Sequence, residues 1–166
     1  MDEIDRALLQ ILQKDTALST AEMAAQVGLS PTPCWKRIQK LEASGVITGR
    51  VAIIDPVRVG AGLSVFVAIE DGEHTPTWLE RFSAGIAELP EVMEVYRMAG
   101  EVDYMLRVAV ADMAEYDAFY KRLIAIAPMK NVTSRFAMER MKHTTAYPLH
   151  PRAFRDRHGP KDSQGK

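Results

Sequence analysis

The first part of the chain places its apolar residues at the spacing of amphipathic helices. Residues 2–14 have acids at the start and Lys14 at the end, as the helix dipole favours, and their apolar positions are Ile4, Leu8, Ile11 and Leu12. A second helix is predicted to begin at Ser19, because Ser19 and Glu22 have the spacing of a capping box. We expect the first helix to bury the apolar backs of the two helices that follow it.

A tight turn separates the second predicted helix from the third. Gly28 adopts a positive φ without steric cost and so ends the second helix, and Ser30 followed by Pro31 is typical of a helix start. The third helix has an apolar side, Cys34, Ile38 and Leu41, and an outward side, Thr32, Lys36, Gln39, Lys40 and Ala43. This arrangement is the helix-turn-helix that lays its second helix in the major groove of DNA, although many helical hairpins with a Lys-rich solvent face bind nothing.

A β-hairpin is predicted after the third helix. Gly45 ends that helix, and residues 46–54 place a Thr-Gly turn between two β-rich runs that Asp55 and Pro56 close off. Such a hairpin would be a wing with Arg50 at its tip, where a guanidinium reaches phosphate and adds affinity without sequence information. We therefore predict a winged helix-turn-helix domain, with its linker, in residues 1–60.

Beyond Pro56 the pattern of the chain changes from helical to alternating. The predicted elements are strand 63–69, helix 77–88, strand 92–99, turn 100–103, strand 104–110, helix 113–126 and strand 132–141, with 144–149 as a further edge strand. This β-α-β-β-α-β order favours a four-stranded antiparallel sheet with both helices on one face, the ferredoxin-like arrangement. The fold class is therefore α+β, and residues 61–149 form the second domain.

The second face of this predicted sheet has no helix to cover it. Phe66, Met105 and Ala109 are among the side chains expected there, and they are too apolar for free solvent. A sheet from a second subunit would cover them, so we expect a homodimer.

Charge is segregated along the chain. The net charge of −1 argues against nucleic acid, yet residues 30–50 hold four basic side chains against one acid, whereas residues 61–149 hold 9 against 13. A basic patch of this size fits a modest phosphate-binding surface, and the acidic remainder discourages indiscriminate binding. The polar, Gly- and Pro-containing tail, 150–166, is predicted to be disordered, and its positive excess either contacts DNA or keeps the protein soluble.

Other features of the sequence limit the location and chemistry of the protein. The single cysteine, Cys34, forms no intramolecular disulfide, and its inward position favours a small buried hydrophobe over a redox sensor. There is no leader-like segment and no apolar run of about 20 residues, so we expect a soluble cytoplasmic protein without a membrane partner. The histidines lie apart without metal-ligand spacing, and no metal or other cofactor is expected.

The candidate DNA contacts lie on the third helix and its flanks. They are Ser30, Thr32, Lys36, Arg37, Gln39, Lys40 and Arg50. Side chains on the outward face suit base edges, and backbone N–H groups at the helix start favour phosphate. Arg37 lies on the flank of the helix and has two alternatives, an ion pair with an acid of the first helix or a phosphate contact. Trp35 neighbours the apolar side and is expected mostly to pack.

The chain resembles the Lrp/AsnC family, the feast/famine transcriptional regulators, over residues 1–149. The motifs that carry the resemblance are DEIDRALLQIL, LSPTPCWKRIQKLEASGVITG followed by AIIDPVRVG, and GEVDYMLRVAV. The resemblance implies a nucleoid-associated regulator that binds double-stranded DNA, has a ferredoxin-like effector domain, dimerises through its sheets and often assembles four dimers into an octameric ring. It also implies that a small-molecule effector, usually an amino acid, binds between effector domains.

The resemblance places an effector loop in the turn before the third strand. Gly100 and Asp103 match the family's positions, with Val102 and Tyr104 beside them, and Thr133 and Ser134 of the last strand are further candidates. A carboxylate binds the ammonium group of an amino acid, and an open glycine loop offers N–H donors to its carboxylate. Turn chemistry alone also favours a glycine and an aspartate at such a place.

These patterns leave two functional hypotheses from different classes. The first is a homo-oligomeric, sequence-specific transcriptional regulator that responds to a small molecule. The alternative is a small-molecule-binding or assembly protein whose helical domain contacts another protein. An enzyme is disfavoured, because the sequence shows no Ser/His/Asp or Cys/His arrangement, no phosphate loop and no paired acids with an evident cleft.

Overall fold

The computed structural model describes residues 1–73 and 75–149, so His74 and the tail that was predicted to be disordered lie outside the described residues. The helices are α1 Glu3–Leu12, α2 Thr20–Gln26, α3 Pro31–Ala43, α4 Pro76–Ala87 and α5 Met113–Ile126, and the strands are β1 Leu63–Asp71, β2 Val92–Arg97, β3 Tyr104–Val110 and β4 Met129–Phe136. The chain forms two units. We call residues 1–52 with 142–149 the head, and Ile53–Met141 the sheet domain.

The second helix of the head begins at the capping box that the sequence predicts. The Ser19 N–H donates to the Glu22 carboxylate at 2.7 Å, and the Glu22 N–H donates to the Ser19 hydroxyl at 3.3 Å. Asp2 and Asp5 form a second capping box at the start of α1, which was not predicted. The capping box expected at Ser19 is therefore confirmed.

Two glycines close the turns of the head. Gly28 has a φ of +69° and Gly45 a φ of +73°. After each glycine the next N–H returns to the helix, from Leu29 to the carbonyl of Ala24 at 2.9 Å and from Val46 to that of Leu41 at 3.0 Å. These turns let the three helices bury one apolar cluster, which comprises Leu8, Leu12, Met23, Ala24, Cys34 and Ile38.

The prediction of a β-hairpin over residues 46–54 is wrong, because no strand lies between α3 and β1. The first arm of that hairpin serves another purpose. The N–H groups of Val46 and Ile47 both donate to the Leu41 carbonyl, at 3.0 and 3.1 Å, and Ile47 packs against the head core. These groups close α3, so they cannot also form a strand ladder.

The sheet domain has the predicted ferredoxin-like topology. Its strands are antiparallel in the order β2-β3-β1-β4, and α4 and α5 pack on one face of the sheet. The bounds of β3 and α5 match the prediction. By contrast, β4 runs from 129 to 136 rather than from 132 to 141, because its partner β1 supplies opposite residues only from Asp71 back to Val65.

Aromatic side chains fill the core between the sheet and α4. Trp78 stacks on Phe82 with ring centroids 4.7 Å apart and on Tyr104 at 5.6 Å, and the Trp78 indole N–H donates to the Pro128 carbonyl. Close packing continues between α4 and α5, where Gly85 lies against Ile126. This core fixes the position of Tyr104 at the start of β3, and with it the loop that precedes β3.

The opposite face of the sheet carries Phe66, Met105 and Ala109, by strand alternation. Phe66 is 40% exposed, and Arg107 forms an ion pair with Glu94 at 2.7 Å on the same face. Neither helix of the sheet domain covers this surface.

The segment 142–149 forms no strand, so the predicted edge strand at 144–149 is wrong. Within the head, this segment is held by the side chain of Gln13 instead. The Gln13 amide accepts from the Tyr147 N–H at 2.6 Å and donates to the Tyr147 carbonyl at 3.3 Å. An amide side chain thus binds the backbone of Tyr147 in the manner of a neighbouring strand.

Candidate DNA-contacting surface and effector loop

The outward side of α3 forms an exposed row of donors. Thr32, Lys36, Gln39 and Lys40 are all exposed, whereas Cys34, Ile38 and Leu41 are buried. The buried stripe fixes the rotation of the helix about its axis, and this rotation turns the donors outward. No ion pair holds Lys36 or Lys40 within residues 1–73 and 75–149, so both ammonium groups remain available to a ligand anion.

Arg37 joins α3 to the start of α1. One of its guanidinium nitrogens, Nη1, lies 2.7 Å from an Asp2 oxygen and 2.7 Å from an Asp5 oxygen. These carboxylates raise the pKa of Arg37, while the Asp5 backbone N–H, and then Arg37, lower the pKa of Asp2. Of the two alternatives for Arg37, the structure contains the ion pair with the first helix.

Arg50 does not lie at the tip of a wing. Its guanidinium contacts the Glu42 carboxylate at 2.7 Å, and the Gln39 amide donates to the other oxygen of Glu42 at 2.9 Å. Glu42 therefore brings Arg50 and Gln39 together at the end of α3. The predicted position of Arg50 was wrong because the hairpin that would have extended it does not form.

The start of α3 has one uncapped backbone donor, the N–H of Thr32, because Pro31 and Pro33 carry no N–H and the Cys34 N–H donates to the Ser30 carbonyl at 3.3 Å. Ser30 occupies the N-cap position, but its side chain makes no capping hydrogen bond in the described chain, and Pro31 follows at the first helical position. Amide groups at a helix start attract anions when a side chain does not satisfy them. The polar groups at the start of the helix are therefore the Ser30 hydroxyl, the Thr32 hydroxyl and the single N–H of Thr32.

Trp35 is the residue of this surface that sequence analysis misjudged. It was expected mostly to pack, but it is 53% exposed. At about 100° per residue, Trp35 lies about 60° from the direction of the exposed Thr32 and about 60° from that of the buried Ile38. Trp35 therefore lies between the two sides of the helix, and the helical angle alone did not predict its exposure.

The loop before β3 is tied to the end of β1 by Asp103. Its carboxylate accepts from the Asp71 N–H at 2.8 Å, and its own N–H donates to the Ile69 carbonyl at 3.0 Å. Gly100 has a φ of +126°, and nothing lies within 4 Å of where a side chain would begin. The loop therefore has an open glycine beside a carboxylate whose position the backbone of β1 fixes.

The other candidate effector residues divide between this loop and β4. Val102 is half-buried beside Asp103, but Tyr104 is buried in the aromatic core. The Ser134 hydroxyl contacts the Tyr116 hydroxyl, on the face that α5 covers. Strand alternation turns its neighbour, Thr133, to the opposite face.

The tyrosine at this contact was not anticipated from the sequence as a polar partner. Burial raises the pKa of Tyr116, although the hydrogen bond to Ser134 acts in the other direction. Tyr116 was predicted only as an inward residue of its helix, since helical spacing reveals direction but not a hydrogen-bond partner on a distant strand.

Known proteins share both parts of this architecture. Residues 1–42 match the AsnC-type helix-turn-helix domain, and residues 64–147 match the Lrp/AsnC ligand binding domain. The chain is 49% identical over 150 residues to the DNA-binding transcriptional activator DecR of Escherichia coli, covering 90% of this chain and 99% of DecR.

Two solved structures are similar over the same range. An AsnC family transcriptional regulator from Agrobacterium tumefaciens has a TM-score of 0.87 and 56% identity, covering 90% of this chain and 97% of that one. The transcriptional regulator NMB0573 of Neisseria meningitidis, solved as a complex with L-Met, has a TM-score of 0.86 and 31% identity, covering 90% of this chain and 97% of that one.

Fold and surface together define a helix-turn-helix DNA-binding protein with a ligand-binding sheet domain. The chain belongs to the Lrp/AsnC family of transcriptional regulators. Members of this family are DNA-binding regulators and not enzymes. No helix in the described part of the chain has the length and apolarity to cross a bilayer.

Proposed function

We propose that this regulator recognises a specific sequence in double-stranded DNA through α3 and that an amino acid controls its activity. The observation that carries the first half is the outward row on α3, where Lys36 and Lys40 are exposed and no carboxylate pairs with them in the described chain. Ammonium groups in this position neutralise phosphates or donate to guanine, while Gln39 and Thr32 offer donors and acceptors to base edges.

Arg37 and Arg50 have a different role in this proposal. Both guanidiniums are held by carboxylates of the head, Arg37 by Asp2 and Asp5 and Arg50 by Glu42. We propose that Arg37 positions α3 on the head. Arg50 remains a candidate phosphate contact, because its side chain is 39% exposed and its pair with Glu42 lies beside Gln39.

Removal of the two exposed ammonium groups tests the DNA-binding half. Each phosphate that the protein neutralises contributes about 0.9 to the slope of log affinity against log salt. Lys36→Ala with Lys40→Ala is expected to lower affinity for DNA from upstream of the protein's own coding region and to reduce this slope by up to about 2. A gel shift at several salt concentrations measures both.

A matched control removes the same charge elsewhere in the head. Lys14 and Lys142 are exposed and lie outside α3, so Lys14→Ala with Lys142→Ala should leave the slope near that of the unmodified protein. An unchanged affinity and slope in the α3 double variant would refute the assignment of α3 as the DNA-contacting helix.

The effector half of the proposal places an amino acid at the loop of Gly100 and Asp103. The Asp103 carboxylate offers an anion to the ligand ammonium, and the open space at Gly100 leaves room for the ligand beside backbone donors. The similar regulator from Neisseria meningitidis was solved with L-Met, which supports an amino acid as the class of ligand.

The conservative variant Asp103→Asn tests this loop without removing the acceptor for the Asp71 N–H. Calorimetry with a panel of amino acids that includes L-Met first identifies the one that the unmodified protein binds. The Asp103→Asn variant is expected to bind that amino acid more weakly. Glu101→Gln removes the same charge from an exposed position of the same loop and should bind normally. Equal binding by both variants would show that Asp103 does not hold the ligand.

Assembly is the third part of the proposal. The sheet face of Phe66, Met105 and Ala109 supports a homodimer, and four such dimers closing into an octamer would follow the family's usual arrangement. Light scattering should show a dimer or a multiple of it. Phe66→Asp, which puts a charge on this face, should shift the mass toward the monomer, whereas Leu79→Asp on α4 should not.

A further inference from the structure

The two tryptophans of the chain lie in opposite environments. Trp78 is 3% exposed and stacks in the core of the sheet domain, whereas Trp35 is 53% exposed on α3. Among the described residues no aromatic ring stacks on Trp35. An indole left half in water loses about half of the stabilisation that burial of its large apolar surface would contribute.

The neighbours of Trp35 along α3 belong to the DNA-contacting surface. Thr32 lies one turn before it, Gln39 one turn after it, and Lys36 follows it directly. On the helical wheel Trp35 lies about 60° to one side of Thr32, and Lys40 lies about 80° to the other side. The outward side of α3 therefore has an aromatic edge and a basic edge.

This distribution favours DNA over a protein as the occupant of the surface. The core of a protein interface is a contiguous apolar patch, whereas Trp35 has the Thr32 hydroxyl and the Gln39 amide one turn to either side, and its apolar neighbours at that distance are only the Pro31 ring and the buried Ile38. Isolated apolar side chains among such donors match the floor of the major groove, where each thymine presents one methyl group between hydrogen-bonding edges. Trp35 also lies in the second turn of α3, within the N-terminal part of a recognition helix that reaches base edges.

We propose that Trp35 is a specificity-determining residue that reads thymine through an apolar contact between the indole and the thymine 5-methyl group. This inference rests on the proposed function, since it requires α3 in the major groove. Lys36 and Lys40 supply affinity through charge, whereas Trp35 supplies discrimination between thymine and bases that lack the methyl group.

Uracil provides the test, because it differs from thymine only by the missing methyl group. A duplex that the full-length protein selects from a random pool is synthesised once with thymine and once with uracil. The unmodified protein should bind the uracil duplex about fourfold more weakly for each thymine methyl group that Trp35 touches. Trp35→Ala should bind the thymine duplex more weakly and bind the two duplexes equally well.

Lys36→Ala is the matched control on the same helix. It should weaken binding to both duplexes alike and retain the preference for thymine. Trp35 is exposed, so its replacement by alanine should leave the thermal unfolding of the protein unchanged, which shows that a loss of discrimination is not a loss of folding.

A second measurement uses the fluorescence of the unmodified chain. Acrylamide reaches Trp35 but not the buried Trp78, so quenching reports Trp35, and the selected duplex should reduce it. Protection of Trp35 already in the free protein overturns the proposal and places the indole in a contact between subunits.

The outcomes separate this inference from the proposed function. Equal binding of both duplexes by the unmodified protein, or an undiminished preference for thymine in Trp35→Ala, overturns the role of Trp35 while leaving DNA binding intact. Failure to select any duplex contradicts the proposed function and the inference together.

Discussion

Replacement of Arg37 by methionine should loosen the head while leaving the salt dependence of its DNA binding unchanged. Methionine keeps an apolar stem of similar length but removes the guanidinium that contacts Asp2 and Asp5, each at 2.7 Å. The variant leaves two carboxylates at the start of α1 without their cation. The link between α1 and α3 then depends on apolar packing alone.

The size of the effect follows from the exposure of the partners. The Asp5 side chain is only 16% exposed, so a carboxylate that is left unpaired there is costly, whereas Asp2 is more than half exposed. With a third of the Arg37 side chain in solvent, we expect a loss of about 1–2 kcal/mol of head stability. Since 1.4 kcal/mol is a factor of ten, local opening should become about tenfold more frequent.

Hydrogen exchange on the full-length protein measures this local stability. Amides of α1 and α3 should exchange about tenfold faster in Arg37→Met, and those of β1 and β3 should be unaffected, which provides an internal control. Asp5→Asn should have a similar effect. The double variant should lose less stability than the sum of the two single variants, because both remove the same interaction.

The salt dependence of DNA binding decides between the two roles of Arg37. If Arg37 only positions α3, the slope of log affinity against log salt in Arg37→Met stays near that of the unmodified protein. Unchanged exchange in α1 and α3 together with a slope reduced by about 1 would refute the positioning role and assign Arg37 to a phosphate.

Three further predictions follow from the packing and the titrating groups of the chain. The hydrogen bond from the Ser19 hydroxyl is the main cause that lowers the pKa of Glu22 in the folded protein. The ionised carboxylate therefore stabilises the head fully at pH values above its ordinary pKa of 4.5, and this stability is lost as the pH falls through the lower folded pKa. Ser19→Ala should reduce this acid sensitivity in thermal unfolding. Gly85→Ala should destabilise the sheet domain by about 1–3 kcal/mol in urea unfolding, because the new methyl would overlap the Ile126 side chain. Burial raises the pKa of the Cys34 thiol, so a thiol reagent should modify it only in denaturant, and rapid labelling of the native protein would contradict its buried position.

Local chemistry was enough to predict most of the elements of this chain. Ser19 with Glu22, Gly28 and Gly45 each fix a helix end through bonds to residues within five positions, so the sequence alone contains the information. The period-two pattern of β3 likewise predicted its bounds, since each inward residue is buried on the helix-covered face.

One error arose where local hydrogen bonds to the end of a helix replace a strand ladder, and two arose where a segment depends on a partner that is distant in sequence. Val46 and Ile47 have the composition of a strand, but their N–H groups are taken by the end of α3. The length of β4 is set by β1, whose paired residues lie 58 to 71 positions earlier, and the contact of Tyr147 is with Gln13, 134 positions earlier. Neither pairing leaves a periodic pattern in the chain.

The contact between Gln13 and Tyr147 has a consequence for the architecture of the chain. Because residues 142–149 belong to the head, the sheet domain is an insertion into the head rather than an appendage to it. The insertion enters through β1 and leaves through β4, which are neighbours in the sheet and pair Val65 with Phe136. Two covalent connections thus leave the sheet from adjacent strands, and a head produced as residues 1–52 alone would lack one of its own parts.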